Sequence, residues 1–243
     1  MTREPQTPSL ARRAVSEGVG TGLLVATVVG SGIMGERLAG GSVGLALLAN
    51  TLATGATLVA LILTFGGISG AHFNPAVTVA AGLERDLPWH DVPPYCSAQI
   101  LGGLAGVALA DVMFDLPAFA LSQHARSGPS QVLSEFVATF GLLSVIWGCS
   151  RRRSSLAVAF AVGAYITAAY WFTASTSFAN PAVTVARSLT DTFAGIRPAD
   201  VPAFIGAQLC GAAAATMLFR WLAPRDEPEP VVTTTPLRVR QQA

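Results

Sequence analysis

The heptapeptide Asn-Pro-Ala-Val-Thr-Val-Ala occurs at residues 74–80 and again, unchanged, at 180–186. Landmarks around the two copies match in order. Ser16-Glu17 and Ser134-Glu135 open apolar runs upstream of each copy. Downstream, Val92-Pro93-Pro94-Tyr95-Cys96-Ser97-Ala98-Gln99 is answered by Val201-Pro202-Ala203-Phe204-Ile205-Gly206-Ala207-Gln208. Self-similarity of this kind means that one structural unit is used twice.

The units are apolar. Of 243 residues, 51% are hydrophobic and only 12% are charged, against about 25% charged in soluble domains. Six long apolar stretches run over about 14–35, 43–66, 94–114, 130–149, 155–174 and 200–223, each near the length a bilayer demands of a helix. The first is too long for a signal-peptide core. Two further apolar segments, His72 to Leu83 and Phe178 to Leu189, are too short to cross.

Three spans per unit is an odd number, so the second unit must enter the membrane upside-down relative to the first. The short segments then approach the midplane from opposite faces, where non-helical backbone is tolerated only if protein or water satisfies it. The expected fold is an all-α membrane protein: six transmembrane helices plus two re-entrant half-helices in an inverted repeat. The channel domain covers residues 14–223, with repeat one about 14–115 and repeat two about 130–223. Residues 1–13 form a polar tail, and 224–243 form a Pro-, Thr- and charge-rich tail expected to be disordered.

All 15 basic residues are Arg. Arg151, Arg152 and Arg153 lie between spans four and five, Arg12 and Arg13 precede span one, and Arg220 and Arg225 mark the end of span six. With six spans these fall on one side, which the positive-inside rule makes cytoplasmic, together with both termini. The opposite loops are leaner, with Arg37, Arg126, Arg187 and Arg197. A net charge of +1 gives no reason to expect a nucleic-acid partner. Cys96, Cys149 and Cys210 have no metal-ligand spacing and are odd in number, so they read as ordinary buried small residues. No metal or cofactor is expected. No Ser-His-Asp, Cys-His or metal cluster marks an enzyme.

Asn favours the N-cap, and Pro the first helical turn, where its missing N–H costs nothing. Asn74-Pro75-Ala76 and Asn180-Pro181-Ala182 therefore read as the starts of two half-helices whose positive dipole ends meet at mid-membrane. Two donors and two positive ends there would orient water and repel cations.

Ser69-Gly70-Ala71-His72-Phe73-Asn74-Pro75-Ala76-Val77-Thr78, with Asn180-Pro181-Ala182, resembles the signature loops of the major intrinsic proteins, the aquaporins and aquaglyceroporins. The resemblance covers about residues 14–223. It implies a homotetramer in the lipid bilayer of the plasma (inner) membrane, with a pore in each subunit for small neutral solutes and both asparagines facing that pore. Glu17 and Glu135 are acids within the first turns of spans one and four. An intramembrane acid is functional by default, and a proton relay is one option. The resemblance suggests instead that they accept hydrogen bonds from the re-entrant loops. His72 reads either as a pore-mouth residue or as a loop-packing one.

The chain departs from the family at the outer selectivity filter. Most members carry Arg directly after the second Asn-Pro-Ala, where this chain has Val183. Arg187 lies one turn on, about 5.4 Å along a helix, and reads as a helix-end or interfacial residue. Counting from the asparagines places Thr54 at the second-span filter position and Ile166, Thr167 or Ala168 at the fifth-span position. Ser177, or else Thr176, falls at the loop position. The filter expected on this count is Thr54, Thr167, Ala168, Ser177 and Val183: small hydroxyls and aliphatic carbon, without a ring or a fixed charge. Such a filter resembles that of the aquaporin-like channels of bacterial arsenic-resistance operons, which implies passage of arsenous acid or organoarsenicals alongside glycerol-sized polyols and water. An ordinary water or glycerol channel is the alternative reading. An ion-coupled secondary transporter, which also uses inverted repeats, is a third.

Overall fold

The computed structural model describes residues 8–150 and 155–223. The arginines at 151–153, Arg225 and most of both tails lie outside the described residues. Eight α-helices occur among the described residues, and the order expected from the repeat holds: α1 (Leu10–Leu38), α2 (Val43–Ser69), α3 (Pro75–Leu83), α4 (Val92–Met113), α5 (Pro129–Ser150), α6 (Ser155–Phe172), α7 (Pro181–Arg187) and α8 (Val201–Leu222). Short 3-10 turns, Trp89–Asp91 and Pro198–Asp200, lead into α4 and α8. Five helices (α1, α2, α4, α5 and α8) are long and apolar enough to cross a membrane, and α6 is a shorter apolar helix.

The helix ends correct two details. Ser9 caps α1, its side chain accepting from the Arg12 amide, so Arg12 and Arg13 belong to the first turn of α1 rather than to the tail before it. Arg13 is held there by Asp91 at 2.8 Å and by the Tyr95 hydroxyl at 3.3 Å. Cys210 is exposed on α8, whereas Cys96 and Cys149 are partly buried, and all three are free thiols. The expectation that all three are buried therefore fails at Cys210.

The two halves pack alike. α1 lies against α2 and α4, and α5 against α6 and α8. Glycines set the approach. A Cβ on Gly102 or Gly106 of α4 would run into the carbonyl oxygens of Gly18 and Gly22 on α1, and one on Gly211 of α8 would meet Phe136 O on α5. Small residues let helices in a bilayer come this close, where van der Waals contact rather than water expulsion holds them. The halves meet through α2 and α6, where Gly55 and Gly163 face one another. Each short helix also crosses over, α3 packing on α8 and α7 on α4. Large apolar side chains such as Leu101, Phe160, Met217 and Trp221 are exposed on the outside, as a hydrocarbon solvent allows.

Candidate functional site: the re-entrant loops and the central cavity

Each short helix is preceded by a tight loop with left-handed backbone at corresponding positions. In the first, Gly70, Ala71 and Phe73 have φ of 91°, 51° and 50°; in the second, Thr176, Ser177 and Ala179 have 61°, 51° and 48°. Positive φ is unfavourable for non-glycine residues and persists only when the surroundings over-determine it. A buried carboxylate does this in each half. Glu17 accepts from the amides of His72 (3.0 Å) and Phe73 (2.6 Å), from Ser69 Oγ (2.6 Å) and from Gln99 Nε2 (2.8 Å). Glu135 accepts from the amides of Phe178 and Ala179, both at 2.9 Å, and from Gln208 Nε2 at 2.6 Å. The two glutamines also donate to Thr78 and Thr184 on the short helices, both at 2.8 Å. Spans, loops and half-helices are thus tied by one repeated network, in which every carboxylate oxygen of Glu17 and Glu135 has a donor.

The asparagines do two jobs at once. Asn74 Oδ1 accepts from the Ala76 amide at 2.9 Å, and Asn180 Oδ1 accepts from those of Ala182 and Val183 at 3.0 and 3.3 Å. These are N-cap bonds. The amide nitrogens reach across to the opposite loop: Asn74 Nδ2 donates to Ala179 O and Asn180 Nδ2 to Phe73 O, each at 2.7 Å. Gly20 leaves room for the Phe73 ring, which a Cβ would strike.

Both asparagines lie on the wall of a cavity of about 260 Å³. Its wall includes His72, Asp86 and Ser150 toward the face of the bundle that holds Pro8 and Ala223. Next come Leu24, Val77, Leu142 and Val162 around the asparagines, and then Thr54, Ser177, Tyr170 and Arg187 toward the opposite face. His72 also packs within the loop, its Nδ1 3.2 Å from Thr78 Oγ1.

The fifth-span filter assignment needs correction. The α6 residues on the cavity wall are Val158, Val162, Ile166 and Tyr170, spaced by four as one face of a helix. Thr167 and Ala168 are rotated about 100° and 200° away. The Thr167 hydroxyl donates to Gly163 O and fills the notch left by Gly55, while Ala168 is exposed on the outside. Thr54, Ser177 and Val183 are on the wall.

The wall also carries a ring and a charge, at positions other than those counted for the filter. Tyr170 lines the cavity, 3% exposed, with its hydroxyl 3.3 Å from Thr54 Oγ1. Arg187 lines it too, and at 2% exposure it is no interfacial residue. Its guanidinium carbon sits 3.4 Å from the Phe178 ring centroid, and its Nε donates to Ala194 O at 2.5 Å.

Arg126, taken from the sequence only as a topology marker, is part of the same construction. It donates to the carbonyls of Gly195, Ser175 and Phe193, and its guanidinium carbon lies 5.1 Å from the Phe178 ring centroid. It therefore fixes the loop whose Ala194 carbonyl holds Arg187. The roles of Tyr170, Arg126, Gln99 and Gln208 were missed in the sequence. A signal existed only for the glutamines, which occupy matching positions in the two repeats.

The sequence model of the major intrinsic protein family matches residues 4–156 and 150–240. The chain belongs to the major intrinsic protein family. Members of this family are membrane channels and not enzymes. Aquaglyceroporin AqpS of Rhizobium meliloti (strain 1021) is 56% identical over 213 residues, covering 88% of this chain and 91% of that protein. The probable aquaporin AqpM of Archaeoglobus fulgidus is 29% identical, over 89% of this chain and 99% of that protein. Among solved structures, the aquaglyceroporin from Plasmodium falciparum superposes with a TM-score of 0.72 at 20% identity, covering 89% of this chain and 98% of that one. At that identity the likeness is one of fold alone.

Proposed function

We propose that the protein is a passive transmembrane channel for small uncharged solutes, carrying glycerol-sized polyols and water, with arsenous acid as a further cargo. The observation that carries this reading is the composition of the cavity wall. The wall is largely aliphatic, and it bears the Asn74–Asn180 pair, with Thr54, Ser177, Tyr170 and Arg187 beyond it toward one face. An apolar wall punctuated by hydrogen-bonding groups suits a small neutral solute that carries both carbon and hydroxyls. Arsenous acid, neutral at neutral pH and bearing three hydroxyls, presents similar chemistry to glycerol. A buried arginine beside the path disfavours cations. The name of the 56%-identical relative from Rhizobium meliloti agrees with a polyol cargo.

Ion coupling would need an acid free to take up and release a proton or to bind sodium. Glu17 and Glu135 are instead fully engaged by loop amides, which favours the passive reading. The family resemblance further supports a homotetramer in the inner membrane, with both termini cytoplasmic.

The test is stopped-flow light scattering on proteoliposomes with water, glycerol and arsenous acid gradients, at zero and imposed proton gradients. The proposal expects glycerol and arsenous acid to cross faster than through bare lipid, at rates indifferent to the proton gradient. Passage of water alone, or gradient-dependent uptake, would overturn it.

A further inference from the structure

The outward ends of the two half-helices are fastened by corresponding residues of different chemistry. Glu84, the C-cap of α3, takes a guanidinium: Arg220 Nε donates to Glu84 Oε1 at 2.6 Å, and Arg220 Nη2 donates to Leu83 O. Thr190, just past α7, donates its hydroxyl to Asp111 Oδ1 at 2.8 Å. The repeat relates the two pairs. Glu84 follows Asn74 by ten residues, as Thr190 follows Asn180. Arg220 follows Gln208 by twelve, as Asp111 follows Gln99. In both pairs the half-helix of one repeat is tied to the last span of the other. Asp111 is 1% exposed, and its Oδ2 has no partner among the described residues. Burying an acid for the sake of one hydroxyl costs stability rather than adding it, so the pair calls for another reason.

The reason lies at the two mouths of the cavity. Asp86, two residues past Glu84, and Arg187, three before Thr190, both stand on the cavity wall, toward opposite faces. Each half-helix is already pinned at the other end, where Asn74 donates to Ala179 O and Asn180 to Phe73 O. A helix pinned at one end can pivot. With nine residues, α3 is about 13 Å long, so a small rotation about Asn74 moves its outward end the most. We propose that Glu84–Arg220 and Asp111–Thr190 are positioning pairs for permeation. Each stops its half-helix from pivoting against the last span of the other repeat, and so sets the width of the lumen at its own mouth. Loss of a pair lets the wall residues beside it drift into the path, which breaks the file of solute there while the asparagine level stays intact.

The inference rests on the channel reading above, though not on which neutral solute passes, so water is the probe. Thr190→Val, Thr190→Ser, Arg220→Glu and the exchanged pair Glu84→Arg with Arg220→Glu are reconstituted beside wild type. Water permeability per inserted protein, and its activation energy, are measured by stopped flow. Valine has nearly the shape of threonine and removes only the hydroxyl, whereas serine keeps it. Arg220→Glu sets two acids against each other, and the exchange restores opposite charges. Thr190→Val and Arg220→Glu are expected to lower permeability about fivefold, the factor that one lost hydrogen bond is typically worth, and to raise the activation energy. Thr190→Ser and the exchanged pair are expected to stay near wild type in both. If Arg220→Glu does not reconstitute, the two Thr190 variants decide. Wild-type permeability and activation energy in Thr190→Val, whatever its thermal midpoint, overturn the positioning role and leave the channel reading intact. A wild type that passes water no faster than bare lipid removes the channel reading, and the pairs with it.

Discussion

Asn74 and Asn180 are each held by the other's loop: Asn74 donates to Ala179 O and Asn180 to Phe73 O, both at 2.7 Å. Each carbonyl belongs to the residue just before the partner asparagine. The two halves of the repeat are therefore closed on one another at the centre of the chain by a reciprocal pair. In Asn180→Ala the cap contribution, about 1 kcal/mol, is lost together with the partner of a buried carbonyl, about 1–3 kcal/mol. We expect a lower melting temperature in detergent for Asn180→Ala, and a comparable fall for Asn74→Ala. A loss confined to one of the two would contradict the reciprocal arrangement.

Glu135 faces three donors. Glutamine is nearly isosteric but turns one end of that acceptor into a donor pointed at N–H groups. Leaving a buried amide donor without its acceptor costs about 1–3 kcal/mol. Glu135→Gln is expected to destabilise the protein on that scale, read as a lower yield of monodisperse protein and a lower thermal midpoint. A variant as stable as wild type, with only its proton handling altered, would revive the relay reading.

Gly106 and Gly206 make opposite predictions from the same substitution. A Cβ on Gly106 would run into Gly22 O, whereas nothing lies within 4 Å of one on Gly206. Gly106→Ala should cost about 1–3 kcal/mol as overpacking between α1 and α4. Gly206→Ala, at an exposed helical position, should be neutral or gain up to about 1 kcal/mol from helix propensity. Paired thermal denaturation of the two variants checks the helix contact directly.

Arg126 touches the carbonyls of Ser175, Phe193 and Gly195. In Arg126→Gln the loop carrying Ala194 loses its tether, and with it the fixed position of Arg187. Beyond a stability loss of about 2 kcal/mol, the glycerol-to-water permeability ratio should fall below that of wild type. An Arg126 variant that is less stable yet keeps the wild-type ratio would confine this residue to a structural role.

What could be read from the sequence follows from how each feature is encoded. The repeat carried the architecture because identical heptapeptides and matched glutamates fix the inverted pairing without reference to side-chain direction. Helix ends were legible to within a few residues, as with Ser9 starting α1 before the apolar run begins. The filter was not legible, because counting from Asn180 back into α6 crosses the connection 173–179. Several of its residues have left-handed backbone, so the loop does not advance at a fixed rise per residue. Ile166, Thr167 and Ala168 point in three directions on a helix. Choosing among them requires knowing that Thr167 fills the notch at Gly55. Arg187 was only half legible for a related reason. Four residues past Val183, it is the last residue of α7, as the helix-end reading expected, but only the fold brings Phe178, Ala194 and Arg126 around it.

The central claim is that solutes pass through the cavity between the two half-helices, and blocking that cavity tests it most directly. Val183, adjacent to the asparagines and on the cavity wall, would be changed to cysteine in a chain whose own Cys96, Cys149 and Cys210 are replaced by serine. Proteoliposomes would then be treated with a small methanethiosulfonate and labelling followed by mass spectrometry. The account predicts that complete labelling abolishes glycerol and water permeability above the lipid background, and that reduction of the mixed disulfide restores both. Complete labelling with undiminished flux would contradict it and place the path of conduction elsewhere.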